Sequence, residues 1–225
     1  MEQKYLQQIP DWYKTTERHD LVLSNDIDGL LTTAILKQVK GWTVSYYYNF
    51  KNTYSIEKNS HPRVWCDVSI LKNEKAFDNH VNRFSSTDIV NKSMINPNLI
   101  NNVSSMNYNE KYCGSTALMV WSIYNLPLPQ TEEGKMLLLA IDTTFKGFYS
   151  GYKRQNAFYL KEMFGFNELY ELEERHTKED FYEIIDKYKI SKDLVMDKNG
   201  FLSTEMDLAK ISELLGLEIA LPDQP

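Results

Sequence analysis

Leu21-Val22-Leu23-Ser24-Asn25-Asp26-Ile27-Asp28-Gly29 is the stretch on which the fold turns. Three apolar residues stop at a polar segment holding two aspartates and a glycine, and leucines, isoleucine and alanine then recur at helical spacing over 30–39. This pattern predicts strand, loop and helix in succession. Residues 42–50 are aromatic and β-branched, as strands prefer, and 64–68 form another short apolar run that carries Asp67. The first half thus alternates between the two periods. That predicts an α/β fold with a mostly parallel sheet flanked by helices.

Further along, 86–90 reads as one more strand. The Asn-rich stretch 91–111 reads as loop with a helical turn, because asparagine favours turns and tolerates left-handed backbone; a loop of that length points to function or motion. Gly114-Ser115-Thr116 leads into a mostly apolar helix over 117–124, which Pro127 and Pro129 terminate. Thr131 with Glu132 and Glu133 opens another helix, whose apolar 136–141 ends in Asp142. Past residue 150 the texture changes to charged amphipathic helices at 156–164, 178–188 and 204–215. The expected division is an α/β domain over 1–150 and a small helical C-terminal region over 151–225.

The chain has 225 residues, 42% hydrophobic and 25% charged, which suits a folded protein with a real core. Its net charge of −6 argues against a broad electrostatic hold on duplex DNA. Cys66 and Cys113 are the only cysteines and give no disulfide framework. No N-terminal stretch resembles a signal peptide, so the cytoplasm is the expected compartment. No apolar run approaches the roughly 20 residues of a membrane span, so no membrane partner is expected. A homodimer is compatible with this composition.

Asp26, Asp28, Asp67, Asp78 and Asp142 each follow an apolar run. In an α/β sheet, ligands bind outside the carboxyl ends of the strands, where these side chains could converge. Ionised carboxylates do not gather without a counter-charge. Oxygen ligands suit Mg²⁺ or Mn²⁺, and an added imidazole such as His80 moves the preference toward Mn²⁺. One or two such ions can activate a water and clamp a phosphoryl group, so phosphoester hydrolysis is the natural reaction. Taken alone, Asp26 and Asp28 read as a turn residue and a helix N-cap.

Asp26-x-Asp28-Gly29, Asp67, Asp78-Asn79-His80 and Asp142, in that order, resemble the DHH phosphoesterase superfamily over about residues 21–149. The resemblance implies that Asp26 binds one metal, Asp28 and Asp142 the second, and that Asp67 bridges them. It further implies that Asp78 and His80 serve catalysis, with His80 facing the substrate phosphate. Two positions depart from the family. Ser24 stands where the first motif usually has a histidine, and Asn79 stands where the Asp-His-His triplet has a metal-binding one. A C-terminal substrate-binding domain with a glycine-rich motif, common in the family, has no counterpart here.

Substrate contacts are expected from Asn79, from Ser115 and Thr116 at a helix start that could receive an anion, and from Lys146, Lys153 and Arg154. The leading expectation is a divalent-metal-dependent phosphoesterase acting on a nucleotide or short oligonucleotide. The alternative is a catalytically degenerate DHH-like module that binds a nucleotide, or contacts a protein partner, without turnover.

Overall fold

A computed structural model describes residues 1–57 and 60–222. Its centre is strand β1 (Asp20–Leu23), buried along its whole length and paired in parallel with β2 (Thr43–Tyr48) on one side and β4 (Arg63–Cys66) on the other. A strand covered on both faces needs a continuous apolar run, which Leu21-Val22-Leu23 supplies. The sheet has the order β3-β2-β1-β4-β5-β6. β5 (Lys75–Phe77) and β6 (Met94–Ile95) extend it in parallel, and β3 (Thr53–Ser55) closes the other edge antiparallel to β2.

Strand order reverses at β1. The chain leaves β1 toward β2 and leaves β4 toward β5, so the loops after these neighbours run apart and open a crevice at their carboxyl ends, the usual ligand position in such sheets. Asp26 and Asp67 lie just past those two strand ends.

Helix α2 (Ile27–Lys40) follows β1 directly. Asp26 caps it, accepting a 3.0 Å hydrogen bond from the Gly29 N–H, and Gly41 ends it in left-handed backbone. Gly29 is required for space: a Cβ there would lie 1.8 Å from the Ser24 hydroxyl.

Among the described residues the other α-helices are α1 (Gln3–Leu6), α3 (Pro97–Ile100), α4 (Thr116–Ile123), α5 (Glu132–Ala140), α6 (Lys153–Ala157), α7 (Asn167–Arg175), α8 (Lys178–Tyr188) and α9 (Leu208–Leu215). α4 is buried on every side and packs on α2, while α8 and α9 pack on α5. One apolar core therefore runs from the sheet into the C-terminal helices. No described helix is long and apolar enough to cross a membrane.

Two expectations are corrected. Residues 86–90 form turns rather than a strand, because Asp88 accepts hydrogen bonds from the N–H groups of Phe84 and Ser85 and closes the chain on itself. The strands of this region are β5 and β6, too short for alternation to show. Asp142 follows helix α5, as the helical reading of 136–141 expects. The helix expected over 204–215 begins at Leu208, where Asp207 caps it, and 204–207 precede it as loop. α7 and a small hairpin, β7 (Val195–Met196) with β8 (Leu202–Ser203), complete the C-terminal region.

Glu173, inside α7, is fully buried. One carboxyl oxygen accepts a 2.6 Å hydrogen bond from the Asn156 amide and the other has no partner. Burial pushes this carboxyl up to about 9, against smaller lowering by Asn156 and Lys153. The folded protein then holds a proton that the unfolded chain has lost, so stability is fully present near pH 4 and declines as pH rises toward 9, by at most about 1.4 kcal/mol per pH unit. Glu173→Gln keeps an oxygen for Asn156 and removes the titration. In thermal melts from pH 5 to 9 the variant is expected to gain on the wild type steadily; parallel curves would mean that Glu173 is ionised in the fold.

Candidate metal centre

The carboxyl ends of β1, β4 and β5 and the C-terminal end of α5 deliver acidic side chains to the crevice. After β4 the backbone turns left-handed at Asp67 (φ 60°), while its N–H still pairs with the Phe77 carbonyl at 2.9 Å. After α5, Asp142 and Thr143 are both left-handed, φ 48° and 51°. Non-glycine residues pay conformational energy there, and the surrounding structure must hold them. Thr144 contributes to that hold: its hydroxyl donates to the Ile141 carbonyl at 2.9 Å and accepts from the Ser115 N–H at 3.0 Å.

Each buried carboxylate meets different partners. Asp28 receives the first two N–H groups of α4, from Thr116 (2.8 Å) and Ala117 (2.7 Å). This fits the positive end of a helix. Asp78 accepts from the Asn96 amide at 3.1 Å and pairs with His80 Nδ1 at 2.6 Å. Asn96 also donates to the His80 carbonyl at 2.8 Å, which fixes the turn between them. Asp67 is 4% exposed, and among the described residues its carboxylate is hydrogen-bonded by one neutral donor, the Thr116 hydroxyl at 2.8 Å. It is the least compensated of the three.

Asn79 ties the groups together. Its side-chain N–H₂ donates to the Gly114 carbonyl at 2.7 Å and to Asp142 at 2.9 Å, and Asn98 holds its backbone carbonyl at 2.6 Å. Ligand atoms of Asp67, Asp78 and His80 all lie within 4.8 Å of one another, a spacing that can hold one cation.

The electrostatics agree with this arrangement. Burial, then repulsion from the neighbouring aspartates, holds the carboxyls of Asp28 and Asp67 well above the ordinary range. Burial also raises Asp26, and Asp193 adds to it. Asp142 sits at the open mouth, yet the protein wall around it lifts its carboxyl to about 6. His80 moves up, chiefly through its bond to Asp78. Such a cluster is short of positive charge. Its donor set of carboxylates with one imidazole suits Mg²⁺ or Mn²⁺, and the unpartnered buried oxygen of Asn79 is a further sign that the site fits a cation.

A cavity of about 430 Å³ opens beside this centre, with His80 and Asp142 among its lining residues and Lys111, Lys146, Tyr108 and Tyr152 around the rest. A smaller one, about 240 Å³, is lined by Asp26, Asp28, Asp142, Lys192 and Asp193. The C-terminal region is fastened there by the Leu194 N–H on the Asn25 carbonyl (2.6 Å) and by Tyr47, whose hydroxyl donates to the Leu194 carbonyl at 2.8 Å.

Of the residues singled out in the sequence, Asp26, Asp28, Asp67, Asp78, Asn79, His80 and Asp142 meet in this region, and Lys146 lines the larger cavity. Ser115 and Thr116 are fully buried, and the helix start that could have received an anion is taken by Asp28. Lys153 lies over the Phe148 ring at 3.9 Å, and neither it nor the exposed Arg154 lines either of these two cavities. Lys111, Tyr108, Tyr152, Asn96 and Asp193 were not singled out. For Lys111 the available signal was its place between Tyr108 and Tyr112 in the long Asn-rich segment. Asp193 carried none, being remote in sequence from every other acidic group of the site. No family model, curated protein or solved structure matches this chain.

Proposed function

We propose that this protein is a divalent-cation-dependent phosphoesterase acting on a nucleotide or short oligonucleotide. The observation that carries the reading is Asp67, a buried carboxylate with one neutral hydrogen-bond donor, within ligand distance of Asp78 and His80 at the crevice of a parallel sheet. A cation beside it removes the cost of that uncompensated charge.

Asp67, Asp78 and His80 would hold the ion. Bound there, a divalent cation lowers the pKa of a water and neutralises charge on a phosphoryl oxygen. Asp78 fixes the His80 ring through Nδ1 and leaves Nε2 as the nitrogen that can act as ligand or exchange a proton with the substrate. Lys111 and Lys146 supply positive charge in the cavity for the phosphate, and Tyr108 and Tyr152 supply flat faces on which a base can stack. The order of the acidic motifs, which resembles that of the DHH phosphoesterases, supports the same chemistry.

A second reading, a module that holds a nucleotide without turnover, is favoured by one observation. Asn79, where the resemblance expects a metal-binding imidazole, spends its nitrogen on Gly114 and Asp142. Metal analysis of the purified protein, with assays on a generic phosphodiester and on short linear and cyclic nucleotides in Mg²⁺ or Mn²⁺, separates the two. Turnover abolished by a chelator supports the enzyme. Tight nucleotide binding with neither turnover nor ion supports the module.

A further inference from the structure

We propose that a second, separate site at the amino ends of β4 and β5 binds a phosphate oxyanion between the Arg63 guanidinium and the Lys75 ammonium. It lies at the opposite end of the sheet from the metal centre and stands however that centre is read. Arg63 opens β4 and Asp67 follows its last residue, so the two are about 13 Å apart along one strand, at about 3.3 Å per residue.

Both cations line a cavity of about 330 Å³, together with Pro62, Asn73 and Glu74. Each is held by a neutral partner. The Arg63 guanidinium lies over the Tyr46 ring at 4.2 Å, a stacking that fixes it and leaves its N–H edge for an acceptor. Lys75 Nζ donates to His19 Nε2 at 2.5 Å. The direction of that bond follows from the other ring nitrogen. Nδ1 faces the Glu17 carbonyl at 3.0 Å, a group that can only accept, so Nδ1 carries the proton of the neutral ring and Nε2 the lone pair. His19 is 1% exposed and packs on Trp42, with ring centroids 4.7 Å apart. Burial lowers its pKa and the Lys75 charge adds to this, outweighing the Glu17 carbonyl, so the ring stays neutral. A buried imidazole thus aims the ammonium without cancelling its charge.

The carboxylates of this region are engaged elsewhere. Asp20, buried at the start of β1, accepts from the His61 N–H at 3.1 Å with one oxygen and pairs with His61 Nδ1 at 3.2 Å with the other. Glu74 accepts from the Trp65 indole N–H at 2.7 Å. Among the described residues neither Arg63 nor Lys75 forms an ion pair. One acidic wall against two fixed cations leaves the cavity positive. Asn73, whose side-chain oxygen accepts from the Ser93 hydroxyl at 2.9 Å, adds an amide N–H₂. Donors arriving from two strand starts and a loop suit a tetrahedral oxyanion, whose oxygens accept from several directions, and a guanidinium can engage two of them at once.

Calorimetric titration of the full chain with inorganic phosphate, in chelator and at low ionic strength, tests the assignment without any assay of turnover. Arg63→Gln combined with Lys75→Gln is expected to weaken binding at least tenfold. Glu74→Gln keeps an acceptor for Trp65 and removes the negative charge from the cavity wall, so affinity is expected to rise at least threefold. That gain cannot come from misfolding, and it keeps the question answerable if the double variant does not fold. A short oligothymidylate titrated in parallel identifies the source of the phosphate: binding that depends on Arg63 and Lys75 marks a nucleic-acid backbone, and binding of inorganic phosphate alone marks the free ion. A wild type that takes up no phosphate, a double variant that binds within twofold of the wild type, or Glu74→Gln without a gain would overturn the proposal. So would loss of phosphate binding on combining Lys111→Gln with Lys146→Gln, which would place the anion in the crevice instead.

Discussion

Under the proposed phosphoesterase function, Asp67→Ala is expected to lower phosphodiester turnover by more than about 100-fold and to leave the fold intact. Loss of groups that only orient metal ligands commonly costs 10–100-fold, and a direct ligand should cost at least as much. The fold survives because Asp67 holds little else together: its side chain meets the Thr116 hydroxyl, and its structural work is done by a backbone N–H that alanine retains. Removing a buried, poorly compensated carboxylate also relieves repulsion on Asp28. Thermal stability measured with chelator present should therefore be unchanged or higher, while the stabilisation brought by added Mg²⁺ or Mn²⁺ should vanish. Retained turnover in Asp67→Ala would rule out this carboxylate as a ligand. The left-handed backbone at residue 67 suits asparagine better than alanine, so Asp67→Asn serves as the companion variant.

The opposite pattern is expected at Asp28. Both of its oxygens accept N–H groups from the first turn of α4, a helix buried throughout. Asp28→Ala strands two buried donors, at about 1–3 kcal/mol each. At a few degrees per kcal/mol for a chain of this size, the melting temperature should drop by on the order of 10 °C. Asp28→Asn keeps one acceptor and should fall between. The condition of the measurement discriminates: a helix-anchoring role predicts the loss in chelator, whereas a role confined to metal binding predicts it only when a divalent ion is present. Equal melting of wild type and Asp28→Ala in chelator would dismiss the anchoring role.

These two aspartates show where sequence reading ends. Asp-x-Asp-Gly after an apolar run marks both as candidates for the same work, and nothing local separates them. In the fold, Asp26 caps α2, Asp28 anchors α4 from across the crevice, and Asp67 is left with the uncompensated charge. The difference arises because α4, some 88 residues further on, happens to point its free N–H groups at one carboxylate and its first hydroxyl at another. Ser115 and Thr116 show the same limit from the other side: a helix start that could receive a ligand is satisfied by the protein's own side chain.

The sequence by itself determined the alternation of strands and helices, the α/β class, and the set of acidic side chains that follow apolar runs, because period and turn chemistry act over a few residues. Tertiary structure alone decided the short strands β5 and β6, whose pairing comes from the neighbouring backbone rather than from their own pattern. It also decided the pairing of Asp78 with His80 under Asn96, the place of Lys111 in the cavity, and the arrival of Asp193 beside Asp26. Charge compensation depends on distance in space, and the chain order carries no record of that distance.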